Sequence, residues 1–319
     1  MKTQYLINLL IKLKYPCSFN DIKIIFQKII EITGNRPHFH FSYKIPPVLQ
    51  LEPANICNIN CICCSAPQTS RKKGHMPLNL FQKIIDEASD IGVRKIKLFL
   101  HGEPFLHPRL IEMVRYIKSR RNLGISIATN GFLLDKEKSK LLLRSGLGYE
   151  DEVVFSILGY SKEVHERVMS GINHEDVLTN IFDFLKLRKQ YGSNVNILVT
   201  FKRMPENKHE EKQFVKYWRK KVDKVWTSTI SKSFREYKNN EIDTPQRNNT
   251  CTGLWKEMVV FWNGDVTICT SDIDGNYIVG NLKERSIKEI WDGKQLSSVR
   301  NLHRKKQFQK IPLCSKCDF

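Results

Sequence analysis

Four cysteines fall within eight residues of the sequence, in the stretch Cys57-Asn-Ile-Asn-Cys61-Ile-Cys63-Cys64. So tight a cluster does not suit disulfides, which require defined separations between the two Cα atoms. Thiolates this close together are better bridged by metal. With Cys57, Cys61 and Cys64 as ligands, the spacing is C-x3-C-x2-C. Three thiolates on a four-iron cubane leave one iron open for a ligand that is not protein.

A second set of four cysteines lies near the end of the chain. Its members are Cys251, Cys269, Cys314 and Cys317. Four thiolates can close the coordination sphere of a zinc ion or ligate every iron of a cubane, and both alternatives stay open here. Zinc is also an alternative at the first site, where Cys63 is the only local candidate for the fourth ligand that a structural zinc ion needs.

A strand–helix alternation over residues 48–228 is expected to position the first cysteine cluster. Apolar, β-rich runs occur at 48–51, 95–100, 124–128, 152–158, 195–201 and 222–227. Helical patterns lie between them at 78–91, 108–120, 135–145, 174–191 and 206–220. Six strands, each separated by a helix, predict parallel pairing with right-handed crossovers. In such sheets the chemistry gathers at the carboxyl ends of the strands.

Several polar residues follow these strands in the sequence. The cysteine loop follows the first strand, and His101-Gly102-Glu103-Pro104 follows the second. Thr129-Asn130-Gly131 follows the third strand, and Ser156 lies near the end of the fourth. We therefore expect these residues to lie at one edge of the sheet.

The segments outside this alternation have different patterns. Residues 1–45 are predicted to form a mostly helical lead-in, and residues 229–250 have the polar composition of a linker. Residues 258–269 predict a β-hairpin in which Asn263-Gly264 forms a type I′ turn. Residues 286–300 predict a helix that begins at Ser286.

The overall composition is that of an ordinary soluble globular protein. Of the 319 residues, 41% are hydrophobic and 27% are charged. Nine cysteines, odd in number and unevenly clustered, are too few for a secreted disulfide scaffold and indicate a reducing environment. No segment is apolar enough to span a membrane, and Lys12 and Lys14 interrupt the short apolar run near the N-terminus. We expect a cytoplasmic protein.

The formal net charge of +19 favours anionic partners such as phosphorylated substrates, acidic peptides or nucleic acid. Apart from residues 203–221 and 300–310, however, the basic residues are scattered, and a codon usage rich in lysine is the favoured explanation of the charge. No nucleic-acid-binding motif accompanies the charge, so nucleic acid is not expected as a partner.

The cysteine motif and the loops in register with it resemble the radical S-adenosylmethionine (radical SAM) enzymes. The resemblance implies a partial (β/α)6 TIM-like barrel at 46–228 that binds a [4Fe–4S] cluster through Cys57, Cys61 and Cys64. In this family the open iron binds S-adenosylmethionine (SAM), which is cleaved to a 5′-deoxyadenosyl radical. Gly102 and Glu103 correspond to the "GGE" motif at the methionine amino group. Asn130 and Ser156 resemble the positions that contact the ribose and the carboxylate of SAM.

The C-terminal cysteines extend the resemblance to the SPASM/twitch subgroup. Residues 251–319 are similar to its twitch form, a small β-hairpin-plus-helix domain with one auxiliary cluster. The resemblance implies that Cys251, Cys269, Cys314 and Cys317 ligate a second [4Fe–4S] cluster. A fully ligated cluster has no vacancy for substrate, so electron relay is its expected task.

Three residues depart from the usual family pattern. His101 replaces the first glycine of the GGE motif, and Cys63 stands where relatives commonly carry an aromatic residue. Met169 lies in a stretch in which relatives often carry an arginine, so no contact with the carboxylate of SAM is assigned to it.

The resemblance implies that a substrate C–H hydrogen is abstracted, with net dehydrogenation or epimerisation of a sugar-like or other polar small molecule. A flavodoxin- or ferredoxin-type protein is the expected electron donor. The first alternative is a maturase of a ribosomally made peptide, although residues 1–45 are short for a peptide-recognition domain. The second is a non-enzymatic nucleic-acid-binding protein with a metal cluster. Candidates for a catalytic base are His101, His107 and Arg203, and pocket residues are expected at the ends of strands four to six (Leu158, Lys202, Arg203 and Thr227).

Overall fold

The six apolar runs form parallel strands that pair in the order in which they occur. The computed structural model describes residues 43–120, 122–230 and 250–315, together with Cys317. The six strands are β1 (Val48–Leu51), β3 (Lys95–Leu98), β4 (Gly124–Thr129), β5 (Glu152–Ser156), β7 (Asn196–Arg203) and β8 (Lys224–Thr229). The predicted alternation and the parallel pairing are confirmed.

The strands are rich in apolar residues because helices and neighbouring strands cover them. The centre of the core is formed by strand side chains that are fully buried. These are Leu49, Leu51, Ile96, Leu98, Ile127, Phe155, Val199 and Phe201. Between the strands lie α1 (Leu78–Ile91), α2 (Leu110–Lys118), α3 (Lys136–Leu143), α4 (Lys162–Val168), α5 (His174–Gln190) and α6 (Glu211–Trp218). Side-chain caps from Asp135 and Asn173 begin α3 and α5.

A short helix and a pair of two-residue strands were not expected from the sequence pattern. Helix α4 is a seven-residue helix capped by the hydroxyl of Ser161. The strand β2 (Asn60–Cys61) lies inside the cysteine cluster and pairs antiparallel with β6 (Met169–Ser170). These strands are only two residues long, which is too short for an alternating pattern to reveal. The pairing ties the cysteine loop to the segment that follows α4.

The C-terminal region continues the sheet of the core. Its strands are β9 (Glu257–Val260), β10 (Asp265–Thr267) and β11 (Ile278–Asn281). Strand β9 pairs parallel with β1, and β10 and β11 follow antiparallel. The sheet order is β11-β10-β9-β1-β3-β4-β5-β7-β8, and among the described residues no strand joins β8 to β11. The sheet is therefore an open, mostly parallel one, as expected for a partial barrel.

The details of this region differ from the prediction in two ways. The turn between β9 and β10 is not type I′, because only Gly264 of the Asn263-Gly264 pair has a positive φ, +93°. Its bonds run from Gly264 N–H to Phe261 O and from Phe261 N–H to Asp265 O. The single helix predicted at 286–300 is divided into α7 (Ile287–Trp291) and α8 (Lys294–Arg304), with Gly293 between them. A short α9 (Pro312–Ser315) carries Cys314.

Other predictions fall largely on residues outside the described ranges. These are the helical lead-in, apart from residues 43–45, and the linker, apart from residues 229, 230 and 250. The described residues belong to one unit by their internal contacts, and the domain boundaries at 46, 228 and 251 stay predictions. No helix within the described ranges is both long and apolar enough to cross a membrane.

Candidate functional site

The cysteine loop runs from the end of β1 to the short 3-10 helix Ala66–Gln68. Within it, the Cys64 N–H donates to the Cys61 carbonyl at 3.1 Å, which folds the last four residues of the motif into a turn. Desolvation, followed by repulsion from Glu103 and Cys64, raises the pKa of the Cys57 thiol. Cys64 therefore lies near enough to Cys57 to affect its pKa, which is compatible with both cysteines binding one cluster.

The cysteine loop forms most of the wall of a cavity of about 520 Å³. The lining includes residues 55–60, with Lys73, His101 and Ser170 on the other sides. The buried Asn58 Nδ2 in this wall has no hydrogen-bond partner among the residues that the structure describes. A buried amide donor without a partner is costly, and a polar ligand in the cavity would relieve that cost. Soft thiol donors and an unsatisfied amide fit an iron–sulfur cluster with a polar organic ligand.

Among the described residues, no three His, Cys, Asp or Glu side chains already surround a single ion position. The thiolates of a cubane bind different irons, so the cysteines of one cluster need not converge on one point.

Gly102 packs directly against the backbone of the cysteine loop. A Cβ atom at this position would lie 2.4 Å from the Ala54 carbonyl oxygen and 2.6 Å from that of Ile56. The next residue, Glu103, donates its N–H to Ile56 O at 2.9 Å. Only glycine permits this approach, so residue 102 fixes the distance between the first two strand-end loops.

The Glu103 carboxylate is buried and bridges to the end of β4. One oxygen accepts from the Thr129 hydroxyl at 2.7 Å and from Phe105 N–H at 3.2 Å. The other oxygen accepts from Asn130 N–H at 2.9 Å. The carboxylate is therefore held by three protein donors, and it joins the second and third strand-end loops. Burial raises the pKa of Glu103 to about 7, although these hydrogen bonds oppose the shift.

We expect Glu103 to make stability fall as pH rises. Between about pH 4.5 and 7 the unfolded chain ionises Glu103 while the folded chain keeps it protonated, so rising pH favours unfolding. Across this window the free energy of unfolding should fall by on the order of 3 kcal/mol more in the parent protein than in Glu103→Gln. Urea unfolding of both proteins at a series of pH values measures it, and Glu163→Gln, at an exposed side chain, is the control. A difference between the proteins that stays constant with pH contradicts the expectation.

Asn130 is the second link between the loops. Its side-chain amide donates to Asn58 Oδ1 at 2.9 Å, and its oxygen accepts from Phe132 N–H. The structure therefore brings the cysteine loop, Glu103 and Asn130 together through direct hydrogen bonds, and Gly102 packs against the same loop. Ser156 lies at the end of β5, where its hydroxyl is 3.5 Å from that of Thr200. The roles of Gly102, Glu103, Asn130 and Ser156 in binding SAM stay predictions.

The three candidate bases all form hydrogen bonds or ion pairs with other residues of the protein. His107 uses Nε2 with Met76 O and Nδ1 with Arg109 N–H. Arg203 forms a bidentate ion pair with Glu211 and also donates to the Thr229 hydroxyl. The Nε2 and Nδ1 atoms of His101 contact Thr270 O and Arg71, respectively. These contacts favour positioning roles, and no base is assigned.

The C-terminal cysteines also lie close to one another. Burial raises the pKa of the Cys269 thiol, and the charges of Cys251 and Cys317 add to the shift. Ser271 N–H points at Cys269 Sγ at 3.3 Å. Cys269 thus belongs to a group with two other members of the predicted ligand set.

His303 connects Cys314, the fourth predicted ligand, to the other three cysteines. The sequence analysis did not identify this histidine. It is fully buried on α8, and its Nδ1 accepts from Cys251 N–H at 3.3 Å. Its Nε2 lies 3.3 Å from Cys314 Sγ. With Nδ1 as the acceptor, Nε2 carries the proton and donates to the sulfur. Hydrogen bonds to ligand sulfurs tune the potential of an iron–sulfur cluster. The only sequence signal was its spacing from Leu296 and Arg300 on one helix face.

The family comparisons agree with this arrangement of two cysteine sites. Residues 51–212 match the model of the radical SAM superfamily, and residues 251–318 match that of the SPASM iron–sulfur cluster-binding domain. The chain belongs to the radical SAM superfamily and carries a SPASM region. Its cofactors are accordingly a [4Fe–4S] cluster with SAM and an auxiliary iron–sulfur cluster.

Individual relatives differ in what they act on. The chain is 27% identical over 327 residues to a tungsten-containing aldehyde ferredoxin oxidoreductase cofactor-modifying protein of Pyrococcus furiosus, covering 85% of this chain and 88% of the relative. Among solved structures, BtrN in complex with AdoMet and 2-DOIA is 19% identical with a TM-score of 0.62, covering 86% of this chain and 94% of BtrN. Streptococcus suis SuiB bound to precursor peptide SuiA is 16% identical with a TM-score of 0.64, covering 96% and 77%. Both structural likenesses concern the fold.

Proposed function

We propose that this radical SAM enzyme oxidises a polar small molecule by hydrogen abstraction, with the auxiliary cluster taking up one electron. The observation that carries the proposal is the proximity of the two cysteine sites. His101, which lines the cavity beside the first site, is hydrogen-bonded to Thr270, the residue next to Cys269. An electron leaving a substrate in this cavity would have a short route to the second site.

Some of these residues would bind the clusters, and others fix the position of the cysteine loop. Cys57, Cys61 and Cys64 would hold the core cluster, and Cys251, Cys269, Cys314 and Cys317 the auxiliary one. Gly102 and Glu103 fix the loop over the cavity through their contacts with Ala54, Ile56 and Asn130. When bound, the core cluster and SAM supply a 5′-deoxyadenosyl radical.

The proposed reaction balances in atoms and electrons. The substrate carbon gives a hydrogen atom to the adenosyl group, and the substrate then loses a proton to solvent and an electron to the auxiliary site. A secondary alcohol thereby becomes a ketone, and one SAM is consumed as methionine and 5′-deoxyadenosine. The electron that starts the cycle would come from a flavodoxin- or ferredoxin-type protein. Epimerisation would differ in that the substrate radical takes a hydrogen atom from a donor such as a cysteine thiol, with no net oxidation of the substrate. The resulting thiyl radical would then take up a proton and one electron from the external electron donor.

Two similarities support a small-molecule substrate over others. The chain covers nearly all of BtrN, whose structure holds AdoMet and 2-DOIA. The matched relative in Pyrococcus furiosus is a cofactor-modifying protein, and it aligns along most of both chains. We infer a substrate of the sugar or aminocyclitol class.

Turnover under anaerobic conditions tests the proposal. Reconstituted enzyme, SAM and dithionite would be incubated with a panel of aminocyclitols and sugars, and products would be quantified by mass spectrometry. We expect 5′-deoxyadenosine and oxidised product in equal amounts for the accepted compound. Abundant 5′-deoxyadenosine with an unchanged redox state of the substrate would exclude dehydrogenation and favour epimerisation.

Peptide modification is the second candidate. It is supported by the similarity to SuiB, whose complex contains the precursor peptide SuiA, and by the net charge of +19, which would attract an acidic peptide. Adding a mixture of acidic precursor peptides to the same assay separates the candidates. A peptide mass loss of about two hydrogens with no change in any compound of the panel would replace the small-molecule proposal.

A further inference from the structure

We propose that His101 is a positioning residue that clamps the auxiliary cluster ligand Cys269 to the core site. The inference rests on the proposed function, because it gives Cys269 the role of a ligand to the electron-accepting cluster. His101 itself is almost fully buried, at 6% exposed, and lies between the two sites.

The contact of His101 with the auxiliary region is a short hydrogen bond. Its Nε2 lies 2.6 Å from the Thr270 carbonyl oxygen. A carbonyl oxygen only accepts, so Nε2 carries the proton in either the neutral or the charged ring. Thr270 directly follows Cys269, and Asp272 N–H closes the turn by donating to Cys269 O at 3.2 Å. The bond therefore holds the turn that presents the Cys269 sulfur.

The other side of the ring is fixed by a buried ion pair. The His101 Nδ1 lies 3.1 Å from Arg71 Nη2 and 3.3 Å from Glu52 Oε1. Arg71 and Glu52 form two parallel hydrogen bonds of 2.8 Å each. Burial alone would raise the pKa of Glu52, but the bonds and charges of Arg71 and His101 outweigh it and lower that pKa to about 2. The ring is thus anchored by an ionised pair.

The same ion pair holds the C-terminal region at further points. Trp262 N–H donates to Glu52 Oε2 at 3.1 Å, and Arg71 Nε donates to Ile273 O at 2.8 Å. The Arg71 guanidinium also stacks over the Phe261 ring at 3.8 Å. Glu52 follows β1, and Arg71 follows the cysteine loop. His101, Arg71 and Glu52 form what we name the clamp, and His101 is its member bonded to the residue that follows Cys269.

The clamp bears on the electronic properties of the cluster through Cys269. Ser271 N–H, in the turn that His101 holds, points at Cys269 Sγ. Loss of the Thr270 bond would loosen this turn and weaken the N–H···S contact. Hydrogen bonds to ligand sulfurs raise the reduction potential, because they stabilise the more negative reduced cluster.

Two substitutions at residue 101 distinguish the hydrogen bond to Thr270 from the contacts that the ring makes with Arg71 and Glu52. His101→Gln places an amide N–H near the former Nε2 and can keep the bond to Thr270. His101→Asn reaches only as far as Nδ1 and loses it. His107→Asn is the matched control, because this histidine is equally buried, uses both nitrogens and follows the same strand, yet it bonds to Met76 and Arg109 instead.

The auxiliary cluster would be measured by itself in full-length protein with Cys57, Cys61 and Cys64 replaced by alanine. Its electron paramagnetic resonance (EPR) spectrum and midpoint potential would be recorded for each variant. In His101→Asn we expect an altered spectrum and a more negative potential. With the core cysteines present, the ratio of oxidised product to 5′-deoxyadenosine should fall about tenfold. His101→Gln should largely restore both readouts, and His107→Asn should leave the EPR spectrum and the midpoint potential of the auxiliary cluster as they are in the parent protein.

Each outcome decides the inference. Loss of the auxiliary cluster in His101→Asn alone supports it, as does the shifted potential. An unchanged spectrum and potential in His101→Asn, or equal changes in His101→Asn and His107→Asn, would overturn it. If the parent protein with the core cysteines replaced holds no second cluster, the proposed function fails instead, and the two failures are distinct.

Discussion

Cys64→Ala is expected to remove the core cluster and to abolish the cleavage of SAM. The iron content should fall from about eight to about four per chain, because one cubane of two is lost. 5′-Deoxyadenosine formation with dithionite should drop to background. The physical reason is that Cys64 is the last of the three thiolates expected to hold the cubane, so alanine leaves one more iron without a protein ligand. Iron analysis, Mössbauer spectroscopy and chromatography of the reaction mixture measure these changes.

Cys63→Ala is the matched control for this prediction. Cys63 adjoins Cys64 in the same turn but lies outside the C-x3-C-x2-C spacing, and its half-buried side chain packs against the hydrophobic core, as that of Cys61 does. Alanine there removes a half-buried thiol and should keep the iron content and most of the activity. The reverse pattern, with full iron in Cys64→Ala and cluster loss in Cys63→Ala, would move the third ligand to Cys63.

Cys269→Ala is expected to separate the two halves of the proposed reaction. The protein should keep the core cluster and continue to form 5′-deoxyadenosine, while oxidised product disappears, since the electron has no acceptor. The iron content should again fall to about four per chain. Ser271→Ala is the milder comparison, because it keeps Cys269 and the backbone N–H that points at its sulfur, and removes only the Ser271 hydroxyl, which also hydrogen-bonds to that thiol.

Three results of that experiment are informative in different ways. Unimpaired oxidation in Cys269→Ala would contradict electron relay through the second site. Zinc in place of iron in the parent protein would identify a structural metal site. Loss of both clusters would show that the C-terminal region supports the core, as the pairing of β9 with β1 makes physically reasonable.

Much of the core was predictable from local sequence. Strand β1 and helix α1 have the bounds that the sequence predicted, because apolar runs and a first-turn proline are local signals. The later helices are shorter at their ends than predicted, where fraying and capping decide the boundary. The cysteine motif was readable because its ligands lie within eight residues of one another.

The partners of the site side chains were not predictable in the same way. The resemblance assigns Glu103 to the methionine amino group of SAM, a role that stays a prediction, but only the folded chain shows that its carboxylate accepts hydrogen bonds from Thr129 and Asn130. His303 lies beyond the helix predicted at 286–300, and only the packing of α8 against Cys251 and Cys314 gave it a chemical role. Such roles depend on which donors and acceptors meet, and spacing alone does not encode that.

The sequence by itself determined the alternation of six strands with helices, the C-x3-C-x2-C motif and the second set of four cysteines. Each of these follows from residue type and short-range spacing. Only the tertiary structure decided that β9 lies beside β1 and that His101 reaches Thr270, 169 residues away. The physical reason is that burial selects which apolar faces pack together, and that packing brings buried polar groups to partners distant in the chain. The relation between the two cysteine sites is therefore a property of the fold.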